Sequence, residues 1–219
     1  MKRETIISEI RKEKIIVIVR NVEKEKIKFL AEAMYKGGIR LIEITFSADG
    51  KSDKETAEKI KLLAEEFEGK MHIGAGTVLT ERQVETAYEA GAEFIISPDT
   101  CVDVIRKTRE LNLVSVPGAL TPSEIRTAHD AGADFVKLFP ITNLGTKYFK
   151  AVKAPLSNIE FLAVGGIDEN NMREYADAGI AGFGIGSNIV NKKMIAENNW
   201  EAVTRLAEKY CEAVRECGK

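Results

Sequence analysis

Lys137 lies in the run Asp-Phe-Val-Lys-Leu-Phe-Pro at residues 134–140, where a strand buried on both faces should carry apolar side chains. Burying an unpaired ammonium is expensive, and lowering its pKa until the amine is neutral is the cheaper outcome. A neutral buried amine attacks ketones and forms a Schiff base, whose protonated form is an electron sink for carbon–carbon cleavage. The bland readings are a lysine that snorkels from an edge strand or one paired to a carboxylate. Glu43, in Leu-Ile-Glu-Ile-Thr-Phe at residues 41–46, breaks an apolar run in the same way. A partly desolvated carboxyl has a raised pKa and can shuttle protons near neutral pH, as imine chemistry requires. Its alternative is a structural ion pair with Lys137 or Arg20.

The elements that must position these groups follow from a repeated pattern. Helical segments end in glycine and pass at once into apolar runs, starting at Gly37, Ala90, Ala131 and Ala178. Each glycine reads as a left-handed helix terminus leading into a buried strand. Further apolar runs lie at residues 15–19, 71–75, 113–116 and 159–164. Eight strands result, near residues 15, 41, 72, 94, 113, 135, 160 and 182. Segments of helical periodicity separate them, carrying Phe29, Ala33 and Met34 or Val84, Ala87 and Tyr88. This alternation predicts an α/β fold, a (β/α)8 TIM barrel, rather than a doubly wound sheet. Residues 4–13, with Ile6, Ile7 and Ile10 on one face, predict an extra N-terminal helix that closes the barrel bottom. A last helix at residues 200–216 aligns Trp200, Val203, Leu206, Ala207, Tyr210 and Val214. Residues 1–219 read as one domain.

In such a barrel, chemistry sits at the C-terminal strand ends. Arg20, Glu43, Thr45, residues 74–77, Ser97, Pro98 and Lys137 fall there, with Gly165-Gly166 after the seventh strand and Gly186-Ser187 after the eighth. Glycines at those two places let backbone N–H groups approach a phosphate. Arg20 suits the carboxylate of an oxoacid, or is a strand-end residue facing water. His72, at a strand start, and His129, within a helix, read as bystanders.

The 219 residues are 44% hydrophobic and 30% charged, with a formal net charge of −2. Acids and bases interleave, as in residues 23–28, which argues against a nucleic-acid or membrane surface. Without an apolar signal core or membrane span, the expectation is a cytoplasmic protein. Cys101, Cys211 and Cys217 lack metal-ligand spacing and read as reduced thiols.

Gly-Ala-Gly-Thr-Val at 74–78, Ile-Ser-Pro at 96–98, Pro-Gly at 117–118, Thr-Pro-Ser-Glu at 121–124, Lys-Leu-Phe-Pro at 137–140 and Gly-Gly-Ile at 165–167 occur in one order. In this the chain resembles the 2-keto-3-deoxy-6-phosphogluconate (KDPG) and 4-hydroxy-2-oxoglutarate (KHG) aldolases. These are class I (β/α)8 enzymes that act as homotrimers. The resemblance implies Schiff-base formation at Lys137 and general acid/base work by Glu43. It implies that Arg20 and Thr77 hold the pyruvate carboxylate, that Pro98 and Phe139 wall the pocket, and that Gly165, Gly166, Gly186 and Ser187 receive phosphate. The ligand would be a small 2-oxoacid, with no metal or cofactor, since the protonated imine is the electron sink.

Two departures bear on substrate. Many members carry an arginine shortly after the strand-two glutamate, where this chain reads Thr45-Phe46-Ser47-Ala48, so the carboxylate role passes to Arg20. Ala163-Val164 stands where gluconate-type enzymes usually read Pro-Thr, and Val164 resembles the 6-phosphogalactonate aldolases, associated with the opposite C4 configuration. Two further readings compete: a non-covalent phosphate-binding barrel isomerase or synthase, and a non-catalytic barrel that binds a sugar acid or a protein.

Overall fold

The computed structural model describes residues 2–217. Strands and helices alternate through the chain, beginning α1(Lys2–Glu13), β1(Ile15–Val19), α2(Lys24–Lys36), β2(Leu41–Thr45), α3(Asp53–Glu66) and β3(His72–Gly76). There follow α4(Glu81–Glu89), β4(Phe94–Ile96), α5(Val102–Glu110), β5(Val114–Val116), β6(Gly118–Ala119), α6(Pro122–Asp130) and β7(Val136–Leu138). The last are α7(Gly145–Lys153), β8(Phe161–Val164), α8(Met172–Asp177), β9(Gly182–Ile185), α9(Lys192–Ala196) and α10(Trp200–Glu216). The strands are all parallel and ordered β5-β4-β3-β2-β1-β9-β8-β7-β6.

The expected (β/α)8 barrel is present, and its fifth stave departs from the sequence reading in one detail. That stave is two short strands, β5 paired to β4 and β6 paired to β7, separated by Pro117. Proline has no N–H to give a ladder. Its carbonyl still accepts from the Lys137 N–H at 2.9 Å, while the Val116 carbonyl accepts from the Ser97 N–H at 3.2 Å. The stave therefore bonds on both sides and closes the barrel.

Side chains alternate across each strand and divide the apolar residues into two cores. Val17, Ile42, Ile44, Ile73, Ala75, Val136, Phe161 and Phe183 face outward and pack under the helices. Ile16, Leu41, Phe94, Ile96, Val114, Val116, Phe135 and Leu162 fill the barrel interior, together with Ile6, Ile7 and Ile10 of α1. The N-terminal helix thus plugs the bottom, as its periodicity predicts. Arg3 reaches Asp134 at the start of the sixth stave, and Asp134 also accepts from the Ser115 N–H at 2.9 Å.

The helix-to-strand junctions are built as expected. Gly38, Gly91, Gly132 and Gly179 have φ of 98°, 92°, 108° and 101°. In each, the next residue's N–H bonds back across the turn, as in Ala92 N–H to the Ala87 carbonyl at 2.9 Å. Two of the predicted helix stripes need correction at their aromatic members. Phe29 is 51% and Tyr88 49% exposed. At about 100° per residue, the inward faces centre on Ile27, Leu30 and Met34, and on Gln83, Val84 and Ala87, which turns both rings away. Phe29 stacks instead on Trp200 of α10, at a centroid distance of 5.9 Å.

Ile10 is 1% exposed within the plug. Ile10→Ala should lower the unfolding free energy by about 2–5 kcal/mol. Urea denaturation measures it, and a change under about 0.5 kcal/mol would mean that α1 does not contribute to the barrel core.

Candidate active site

Strand register brings the buried ionisable groups to one level of the barrel. Glu43 on β2 lies opposite Ile18 of β1 and Gly74 of β3. Lys137 on β7 lies opposite Gly118 of β6 and Leu162 of β8. Each points inward, directly above an apolar residue of the interior core, Leu41 and Phe135 respectively. Glu43 is 2% and Lys137 7% exposed, and both border a small void closed by Ile16, Ile18, Ile96, Val116 and Leu162.

Glycine makes the room for the carboxyl. A Cβ on Gly76 would lie 2.6 Å from both Cδ and Oε2 of Glu43, closer than any contact that could stand. Glu43 Oε2 is buried with no hydrogen-bond partner among the described residues. Burial pushes the Glu43 pKa up to about 7, against the opposing pull of Lys137 and Arg20. Burial likewise pushes the Lys137 amine below the ordinary lysine value, with Glu43 opposing and Arg20 assisting. The amine lies 4.5 Å from the centroid of the Phe139 ring. The arrangement therefore holds a weakly basic amine beside a carboxyl able to give or take a proton near neutrality.

Above this pair opens a cavity of about 550 Å3 lined by Ile18, Arg20, Phe139, Val164 and the loops after β8 and β9. Arg20 Nη2 donates to Thr77 Oγ1 at 2.9 Å, which joins the two residues expected to hold a carboxylate. Gly165 and Gly166 have φ of 95° and 71° and lie against the Thr142 side chain. After β9, the Gly186 carbonyl accepts from the N–H groups of Ile189 and Val190 at 3.1 and 3.0 Å. That turn leaves the Ser187 and Asn188 N–H groups at its open end, the polarity an anion needs. Gly165, Gly166, Gly186 and Ser187 all line the cavity.

Pro98, expected to wall the pocket, lies apart from this lining: it follows β4 by two residues, and its carbonyl packs where Gly118 has no side chain. Sequence reasoning missed Asn21, Asn188 and Lys192, which also line the cavity. Asn188 Nδ2 donates to the Ile167 carbonyl at 3.2 Å and to the Tyr210 hydroxyl at 2.9 Å, tying the two loops together. His72 and His129 lie elsewhere. His72 Nδ1 is 2.6 Å from Glu93 Oε2 in a second cleft, of about 530 Å3, at the barrel bottom. His129 meets Asn158 on the surface. Among the described residues no group of three or more His, Cys, Asp or Glu could hold a metal ion.

The fold and the site define a (β/α)8 barrel enzyme with a buried amine and carboxyl beneath a cationic C-terminal mouth. The family model of KDPG and KHG aldolases matches residues 6–206, and the chain belongs to that family. It is 32% identical over 214 residues to a 2-dehydro-3-deoxy-phosphogluconate aldolase of Haemophilus influenzae, covering 97% of this chain and 98% of the relative. It is 36% identical over 184 residues to a probable 2-dehydro-3-deoxy-6-phosphogalactonate aldolase of Rhizobium meliloti, covering 83% and 84%. A solved structure of KDPG aldolase from Legionella pneumophila, with pyruvate captured as a covalent carbinolamine intermediate, superposes with a TM-score of 0.80 at 30% identity. That match covers 90% of this chain and 93% of the other.

The Glu43 carboxyl makes stability depend on pH. Its folded pKa of about 7 lies above its unfolded value near 4.5, so the native state binds the extra proton between them. The contribution is full below pH 4.5 and lost as pH rises through 7. The wild-type minus Glu43→Gln stability difference should fall by about 3 kcal/mol across that window. Denaturant titrations at both pH values test it, and parallel pH curves would show that Glu43 ionises as a solvated acid.

Proposed function

We propose that this chain is a class I aldolase that cleaves KDPG to pyruvate and glyceraldehyde 3-phosphate, KHG to pyruvate and glyoxylate, or both. The observation that carries the reading is the buried Lys137–Glu43 pair at the barrel mouth, with each pKa displaced toward the neutral form.

The neutral Lys137 amine adds to the C2 ketone, and the Glu43 carboxyl protonates the carbinolamine oxygen so that water leaves and a protonated imine remains. The Glu43 carboxylate then takes the C4 hydroxyl proton. The C3–C4 bond breaks, its electron pair enters the imine to give an enamine, and the aldehyde departs. Glu43 returns the proton to C3, and water releases pyruvate from Lys137. A carboxyl with a pKa of about 7 serves as acid and base in turn. Arg20 and Thr77 hold the pyruvate carboxylate, Phe139 walls the pocket, and Gly165, Gly166, Gly186 and Ser187 accept the phosphate. The protonated imine is the electron sink, so the reaction calls on no metal or cofactor.

A second substrate reading rests on Val164, which is 6% exposed and borders both the void and the mouth cavity. An apolar side chain there offers no hydrogen bond to a C4 substituent, and it supports 2-keto-3-deoxy-6-phosphogalactonate as substrate. Assembly as a homotrimer is part of the proposal and rests on the family likeness. Cytoplasmic action is also part of it, supported by three free thiols and by the lack, among the described residues, of any helix long and apolar enough to cross a membrane.

Incubation with pyruvate and borohydride should place a reduced pyruvate adduct on Lys137, located by peptide mapping and absent from Lys137→Met. Pyruvate that binds without forming an adduct would overturn the Schiff-base reading in favour of a non-covalent barrel enzyme. For stereochemistry, Val164→Thr should raise the ratio of gluconate to galactonate cleavage by roughly tenfold, the usual size for one substrate hydrogen bond. An unchanged ratio would remove Val164 as the determinant.

A further inference from the structure

The mouth cavity has an uneven charge distribution. Its lining at the end formed by the β8 and β9 loops is neutral except for one side chain: Ile167, Gly165, Gly166, Ser187 and Asn188 contribute only dipoles. Among the described lining residues Arg20 and Lys192 are the only ionisable ones, and both are cations. Arg20 is engaged with Thr77, 2.9 Å away on the loop after β3. A phosphate dianion seated on backbone N–H groups alone would keep most of its charge uncompensated, so the cation at that end decides how strongly it is held.

We propose that Lys192 is a further substrate-binding residue, whose ammonium closes the loop end of the cavity over the phosphate and makes the site favour phosphorylated over dicarboxylate substrates. This rests on the aldolase reading above and extends it to substrate class.

Three features support the assignment. The Lys192 backbone is pinned although its side chain is exposed. Asn191 Oδ1 accepts from the N–H groups of Lys193 and Met194 at 3.0 and 3.2 Å, while Val190 and Ile195 on either side are buried. The ammonium has no carboxylate within 4.0 Å among the described residues, whereas Lys24, Lys28 and Lys209 are each paired. Glu23 is the acid that shares a pocket with Lys192, and Lys26 lies 3.6 Å from it. That adjoining pocket, of about 160 Å3, is lined by Arg20 and Lys26 as well, so two further cations face Glu23 beside Lys192.

KHG has a shorter chain, and its second carboxylate stays near the bond that breaks, short of the glycine loops. The two substrates should therefore respond differently to Lys192. Steady-state cleavage of KDPG, its galactonate epimer and KHG by wild type, Lys192→Met and Lys192→Arg tests this. In Lys192→Met, KM for the phosphorylated substrates should rise roughly three- to tenfold with little change in kcat, and the kcat/KM ratio of phosphorylated substrate to KHG should fall by the same factor. Lys192→Arg should restore most of the loss, and added salt should erode the wild-type preference. An unchanged KM, an equal rise for KHG, or a wild type that forms the Lys137 pyruvate adduct but cleaves no phosphorylated substrate would each overturn the inference. Absence of the adduct would instead remove the aldolase reading.

Discussion

The rest of the structure depends on one electrostatic constraint, the burial of an amine and a carboxyl together in the apolar interior of the barrel. Lys137 and Glu43 are both nearly inaccessible, and among the described residues Glu43 Oε2 has no hydrogen bond to offset its lost hydration. Water would stabilise both charges, and the barrel interior does not, so each group moves toward its neutral form. Those forms are the ones a carbonyl addition starts from, a free amine and a protonated acid. What costs the fold stability is also what prepares the reaction.

Several features of the chain follow from holding that pair in place. Ile16, Ile18, Ile96, Val116 and Leu162 keep the surroundings apolar and maintain the displaced pKa values. Gly76 yields its side-chain space to the carboxyl. The plug of Ile6, Ile7 and Ile10 seals the lower end, so the pair meets solvent and substrate from the mouth alone. At the mouth the character changes: Arg20 and Lys192 are exposed cations that line the cavity beside the loops after β8 and β9. The dry pair below and the cationic mouth above are separated by the rise between successive inward positions of a strand, about 7 Å.

The buried pair was legible in the sequence because a charged residue inside an apolar run is costly, and Lys137 and Glu43 each interrupt one. The αβ junctions were legible wherever glycine supplied the left-handed residue. Asn112, between α5 and β5, adopts the same conformation, with φ of 57° and the same back-bonded turn, but asparagine is common in any loop and gave no signal. The division of the fifth stave at Pro117 depends on which neighbour each half pairs with, a property of barrel closure rather than of the local run. Lys192 and Asn188 were hidden for a related reason. Each is a polar loop residue, and only the folded loops bring them to the cavity.

The central claim is that burial lowers the basicity of the Lys137 amine and so favours its nucleophilic form. Competitive acetylation across pH, with labelling at Lys137 read by peptide mass spectrometry in the wild type and Glu43→Gln, tests it most directly. The account predicts a midpoint below the ordinary lysine value, lower still in Glu43→Gln because the carboxylate that favours the ammonium is gone. A midpoint at the ordinary lysine value in both proteins would contradict it.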